Sequence, residues 1–156
     1  MILYRPTMPS DYPTLESWWS GHGVLAVPEI ILPQGWIAFE DSLEIAASFI
    51  YIVQNMTKGK LGVIEWTTTN PNCSHSRKIV EAVPGLYRLL ESYAFAHGCI
   101  AMLSFVKPNS GEERIMERMG YVTSDDDKGH RIFSRPLVNQ DKFYVPPGGV
   151  LKCPSH

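Results

Sequence analysis

Glu65 stands between Ile64 and Trp66 in the run Leu61 to Thr68, which reads as a β-strand. A carboxylate in such apolar company could accept a proton from an amine, directly or through water, because a low-dielectric cleft raises its pKa toward neutrality. The same residue could equally face solvent or pair across strands with a lysine or arginine. Shortly after it comes the polar loop Asn70-Pro71-Asn72-Cys73-Ser74-His75-Ser76-Arg77-Lys78, ahead of a helical pattern. Amides at a helix start attract phosphate, and Ser74, His75, Ser76, Arg77 and Lys78 add donors and charge suited to a pyrophosphate. Serine and asparagine are also ordinary capping residues, and loop cations are usually just solvated. Cys73 and His75 have the types of a nucleophile and a base, but they stand two residues apart with no third partner, so covalent catalysis is not favoured. Asn109 opens a later helix as a candidate cap, and Tyr121 carries a phenol that either donates a proton or packs into the core. Trp18, Trp19, Trp36 and Trp66 line an apolar pocket or fill core volume.

These residues need elements to hold them. Ile2 to Arg5 reads as a strand stopped by Pro6, followed by a helix capped by Ser10 or Asp11 that turns Leu15, Trp18 and Trp19 inward. Gly21, Gly23, Pro28 and Pro33 break the next segment into irregular structure with at most a helical turn. Trp36 to Phe39 and Ile45 to Val53 form a hairpin about Glu40-Asp41-Ser42, and Lys58-Gly59-Lys60 turns into the fourth of four antiparallel strands. Ile79, Val83, Leu86, Leu90 and Tyr93 recur at helical spacing up to Gly98, a natural C-cap. Pro84 inside that pattern implies a break, with either a separate turn before it or a helix that starts there. Ile100 to Val106 is an apolar run suited to a buried central strand, and Ile115, Met116 and Met119 form the inner stripe of the next helix. Tyr121 to Thr123 and Arg131 to Leu137 bracket the acidic turn Asp125-Asp126-Asp127, a solvated hairpin tip without metal-site spacing. Residues 1–137 read as one domain and residues 138–156 as an extended C-terminal arm.

A chain of 156 residues suits one domain that buries about two-thirds of its unfolded surface without a metal or disulfide. The net charge of −2 gives no general attraction to nucleic acid or to an anionic membrane, and no basic stripe is visible. Three cysteines at unrelated spacings fit neither a disulfide framework nor a zinc site, so a reducing, cytoplasmic setting is expected. The first residues lack the apolar core of a secretory signal, and no apolar run reaches membrane-spanning length.

Over residues 2 to 137 this order of elements resembles the Gcn5-related N-acetyltransferases. Arg5 with Asp11 and Leu15 is similar to that superfamily's opening strand and helix, and Asn109, Gly120 and Tyr121 keep the spacing of its later Asn and Gly-aromatic pair. The resemblance implies an α/β (α+β) fold: a mixed, mostly antiparallel sheet of about seven strands with flanking helices. It implies an N-acyltransferase moving an acetyl group from acetyl-CoA to a small-molecule or peptide amine, with a homodimer left open. Glu65 and Tyr121 would be catalytic; Thr67, Thr68, Ser74, His75, Ser76, Arg77, Lys78 and Asn109 would hold the cofactor, whose pantetheine arm enters where two central strands part. Two departures stand out: Met116 occupies the position of the usual tyrosine acid, and the phosphate loop contains no glycine. Those departures keep open a binding or assembly protein without transfer activity, or a related enzyme that modifies a nucleobase or a protein side chain.

Overall fold

The computed structural model describes residues 1–73, 76–124 and 129–137. Strand β1 (Leu3–Pro6) leads to helix α1 (Tyr12–Gly21), then to β2 (Gln34–Glu40), β3 (Leu43–Gln54) and β4 (Lys60–Thr69). Helix α2 (Ser76–Ala96), strand β5 (Cys99–Val106), helix α3 (Gly111–Arg118) and strands β6 (Val122–Ser124) and β7 (Arg131–Pro136) follow. All seven strands join one sheet in the order β1-β2-β3-β4-β5-β7-β6. The first four pair antiparallel, as expected; β4 and β5 pair parallel, which requires the crossover that α2 supplies. The irregular segment after α1 contains one short 3-10 turn, Glu29–Ile31. Among the described residues no helix is long and apolar enough to cross a membrane.

Side-chain alternation divides the core between the two faces of the sheet. On one face α2 packs Leu86, Tyr87 and Leu90 against Ala46, Ile50, Ile64 and Met102. On the other, α1 packs Leu15, Trp18 and Trp19 against Ile37, Ala47 and Phe49. Phe49 lies over Gly35, its register partner on β2. A Cβ at Gly35 would stand 2.3 Å from the ring.

Three sequence expectations are corrected. Neither Ser10 nor Asp11 caps α1 with its side chain. Pro9–Asp11 form a 3-10 turn running into the helix, and the Asp11 carboxylate accepts both guanidinium nitrogens of Arg5 at 2.8 Å and the Met8 N–H at 2.7 Å. A bidentate charged pair outcompetes a neutral cap, and it ties β1 to α1. Pro84 does not interrupt α2, which runs unbroken through it. The helix keeps one buried stripe on both sides of the proline, with Ala82 and Val83 before it and Leu86 and Tyr87 after it. Burying several such side chains at roughly 1.5–3 kcal/mol each exceeds the roughly 3 kcal/mol cost of an interior proline. Strand β5 is central but covered on one face only, so Phe105 is 45% exposed.

Replacing Gly35 with alanine should therefore destabilise the fold by about 1–3 kcal/mol through overpacking against an immobile ring. Urea unfolding at an unchanged m-value is the measurement; wild-type stability would show that the ring can give way.

Candidate active site

The ladder between β4 and β5 ends at Ile64 and Ser104, where the Ser104 hydroxyl donates to the Ile64 carbonyl at 3.3 Å. Beyond it, β4 continues through Thr69 paired only with β3. Register passes from Phe49↔Glu65 to Ala47↔Thr68, so Ser48 alone faces both Trp66 and Thr67. This bulge places Trp66 at φ +57, a left-handed conformation costly for a bulky residue. Meanwhile β5 leads into Pro108-Asn109-Ser110, with Asn109 at φ +61. The cap of α3 is Ser110, whose hydroxyl accepts from the Glu113 N–H at 3.1 Å, while the Asn109 N–H donates back to the Glu113 carboxylate. Asn109 is thus not the expected cap: its left-handed turn delivers Ser110 to that position.

A cleft of about 580 Å³ opens where the strands part. Its walls are Trp19 and His22 from α1 and its end, Trp66 to Thr69 from β4, Ile79, Val80 and Val83 from α2, and Ser110, Glu112 and Ile115 around α3. The Thr67 hydroxyl lies 2.9 Å from that of Ser48 and 3.2 Å from that of Tyr87. Tyr87, fully buried on α2, donates to the Glu112 carboxylate. Burial pushes the Glu112 pKa up, opposed by its hydrogen bonds from Tyr87 and Thr67. Burial also raises Glu65, and the charge of Glu112 adds to the rise while His130 opposes it. The Thr68 hydroxyl, on a residue only 5% exposed, has no hydrogen-bond partner among the described residues. A buried hydroxyl without a partner carries an uncompensated desolvation cost.

The sequence candidates divide between this cleft and other places. Thr67 and Thr68 line it; Glu65 adjoins it on β4 and interacts electrostatically with Glu112. Trp19 and Trp66 also line it, whereas Trp18 and Trp36 belong to the core. Ser74 and His75 lie outside the described residues, as do Asp125 to Asp127 and the arm 138–156; Ser76 begins α2. Arg77 is exposed. Lys78 is drawn elsewhere: its ammonium sits 2.5 Å from the Glu40 carboxylate, which also holds the Met1 amine at 2.7 Å. The lysine hydrogen bond, then the amine, hold the Glu40 pKa at about 2. Asn109 lines a separate hollow with Arg114, Glu117 and Arg131. Tyr121, expected to be catalytic, instead donates to Glu91 at 2.8 Å, beside Arg135. Gly120 at φ +82 turns the chain so that this ring packs between α2 and β7. Met116 is wholly buried. Tyr87, which the sequence offers as a phenol more apt to fill the core, is fully buried, and its hydroxyl reaches Glu112 on the cleft wall, a residue the sequence does not single out.

No protein-family model matches the chain, and no curated protein does. Solved structures do match. A Salmonella typhimurium protein provisionally assigned as an acetyltransferase, bound to acetyl-CoA, superposes with TM-score 0.68 at 10% identity over 92% of this chain and 98% of its own. The ribosomal-protein-S18-alanine N-acetyltransferase of Escherichia coli gives TM-score 0.64 at 11% identity over 92% and 100%. The N-acetylglutamate synthase of Neisseria gonorrhoeae, with coenzyme A and L-arginine, gives 0.63 at 13% over 88% of this chain, which spans only 34% of that longer enzyme. Identities this low speak to architecture, and the architecture they share with this chain is the acyl-CoA N-acyltransferase fold of the Gcn5-related enzymes.

Proposed function

We propose that the chain is an acyl-CoA-dependent N-acyltransferase that moves an acetyl group from acetyl-CoA to an amine acceptor. The observation that carries this reading is the parting of β4 from β5 beyond Ile64 and Ser104, which opens the strand from Glu65 to Thr69 onto the cleft. A narrow gap walled by strand backbone fits a linear, amide-bearing pantetheine arm, whose amides pair with β4 as a neighbouring strand would. Acetyl-CoA supplies an acyl group activated as a thioester. The protein supplies the rest: Thr68 bonds the arm, the N-terminal amides of α2 face its phosphates, and Glu65 takes the proton from the amine, directly or through water. An amide of β4 beyond its last pair with β5 stabilises the oxyanion. On the face opposite α2, the side chains of Val63, Leu103 and Phe105 are incompletely covered, which leaves apolar strand surface next to Glu65 for an acceptor. Structural neighbours described as a ribosomal-protein-S18-alanine N-acetyltransferase and an N-acetylglutamate synthase support an amine as the acceptor class.

A second reading keeps the fold and drops the transfer, leaving a binding or assembly protein. The engagement of Lys78 by Glu40 favours it, because it withdraws one expected cation from the phosphates.

Calorimetry and thermal shift with acetyl-CoA decide between them. The first reading expects saturable binding and a rise in melting temperature; no heat and no shift at millimolar ligand would sink it. Thr68→Val should weaken acetyl-CoA binding about two- to tenfold, the worth of one hydrogen bond. It should leave the free protein as stable or more so, because an unpaired buried hydroxyl is removed. Unchanged affinity would separate Thr68 from the ligand.

Glu65 works as a base only when ionised, and burial raises its pKa. Turnover with a panel of polyamines, amino acids and peptide N-termini, followed as thiol release, should climb with pH through a midpoint above the usual carboxylate range. Glu65→Gln should lower kcat by about 10²–10⁴ and abolish that limb. A variant that turns over like wild type would remove Glu65 from the mechanism.

A further inference from the structure

A β-strand sends consecutive side chains to opposite faces of its sheet, and the bulge in β4 breaks that rule beside Glu65. Glu65 pairs with Phe49, which belongs to the core under α1, so its carboxylate stands on the α1 face. Regular alternation would turn Trp66 toward α2. Instead its indole N–H donates to the Tyr51 hydroxyl at 3.2 Å, and Tyr51, in register with Val63, lies on the α1 face as well. The left-handed φ of +57 at Trp66 brings two consecutive side chains to one face. The ring is then fixed from a third element. The Tyr51 hydroxyl gives its single proton to the Ile31 carbonyl at 2.7 Å, so it meets Trp66 as an acceptor, and one chain of bonds runs from β4 through β3 to the 3-10 turn after α1. Core packing does not account for this, because Trp66 is 37% exposed. A large ring held in the open at the cost of a left-handed backbone is the kind of outlier that clusters at ligand contacts. Toward β5 on the same face, Val63 and Leu103 are half-buried and Phe105 is exposed. Glu65 thus stands on the floor of an apolar groove with a fixed indole on its β3 side and a phenyl ring on its β5 side.

Resting on the acyltransferase reading, we propose that the acceptor is an arylalkylamine, a primary amine a short chain away from a flat aromatic ring, with Trp66 as the residue that selects it and Tyr51 as the positioning residue for the indole. The acceptor ring lies against the Trp66 face and on Val63, Leu103 and Phe105, and its amine reaches Glu65. The amine nitrogen bonds the acetyl carbon as the C–S bond breaks with its electron pair on sulfur; the proton leaving nitrogen passes to Glu65, sulfur takes one from solvent, and amide and thiol result. A flat ring gains offset stacking on the indole in addition to burial, whereas an aliphatic amine gains burial alone. A polyamine would lay a second ammonium on apolar strand surface, where it loses water without a partner. An amino acid would set its carboxylate beside that of Glu65, with the exposed His130 as its counter-charge, and is the competing acceptor in the test.

The test measures kcat/KM with acetyl-CoA, followed as thiol release, for 2-phenylethylamine, n-hexylamine, phenylalanine and spermidine. The wild type should favour 2-phenylethylamine over the other three, and over n-hexylamine by about three- to tenfold, the worth of one aromatic pair. In Trp66→Leu the ratio of 2-phenylethylamine to n-hexylamine should fall close to one; taking the ratio cancels any change in acetyl-CoA binding or in the amount of folded protein. Tyr51→Phe keeps the ring at position 51 and releases the indole, so KM for 2-phenylethylamine should rise severalfold with kcat held and n-hexylamine unaffected. A wild type that binds acetyl-CoA but favours one of the other amines or turns over none of the four, or a ratio that survives Trp66→Leu, overturns the acceptor assignment while leaving the acyltransferase reading standing. Failure of the wild type to bind acetyl-CoA overturns that reading and this assignment with it.

Discussion

Parallel strands satisfy each other's backbone groups only while they run side by side, and β4 and β5 stop doing so at Ile64 and Ser104. From that point each strand must find other partners. Strand β4 stays on β3 and accommodates the change by a bulge, with Trp66 in a left-handed conformation. Strand β5 leaves the sheet through the left-handed Asn109 and hands its polar groups to the capping exchange between Ser110 and Glu113. The cleft, the position of Glu112 and the unpaired Thr68 hydroxyl all follow from that separation. Local strain at a bulge is retained in folds where the surrounding structure over-determines it, and here two helices and β3 do so.

Helix α2 sets how wide the gap can be. Its buried stripe holds the sheet from one side, while Tyr87 reaches past Thr67 to Glu112 and bridges both lips of the opening. Proline 84 sits in the middle of this helix without ending it. Local propensity loses there to tertiary burial, the usual outcome when an amphipathic face covers a large sheet.

Much of the frame was legible in the chain because short-range chemistry determined it. Alternating strands separated by turn residues marked the meander, and Gly98 and Gly120 adopt the positive φ that a C-cap or a turn requires. Arg5 and Asp11 were recognisable as the start of the fold, although the bond between them, rather than a cap, was the reason. The site was legible only in part. The strand that carries Glu65 and Thr68 was recognisable from its run of β-branched and apolar residues. The contacts of Lys78 and Tyr121 could not be read from the chain, because their partners, Glu40 and Glu91, are more than 25 positions away in the sequence. The contact between Tyr87 and Glu112 is not legible for the same reason: their meeting depends on how a helix, a strand and a loop converge.

The ends of the sheet bear on how copies of the chain could meet. Strand β1 at one edge has four residues and finishes at Pro6, which has no N–H to offer; β6 at the other edge has three. Neither presents the long row of free donors and acceptors that lets sheets of separate molecules fuse edge to edge. The main chain of β4 beyond Ile64 is different: it pairs with β3 alone and lies along a cleft whose other walls come from helices. Among the described residues the unpaired stretch of strand thus lies inside the molecule, while the two edge strands are short.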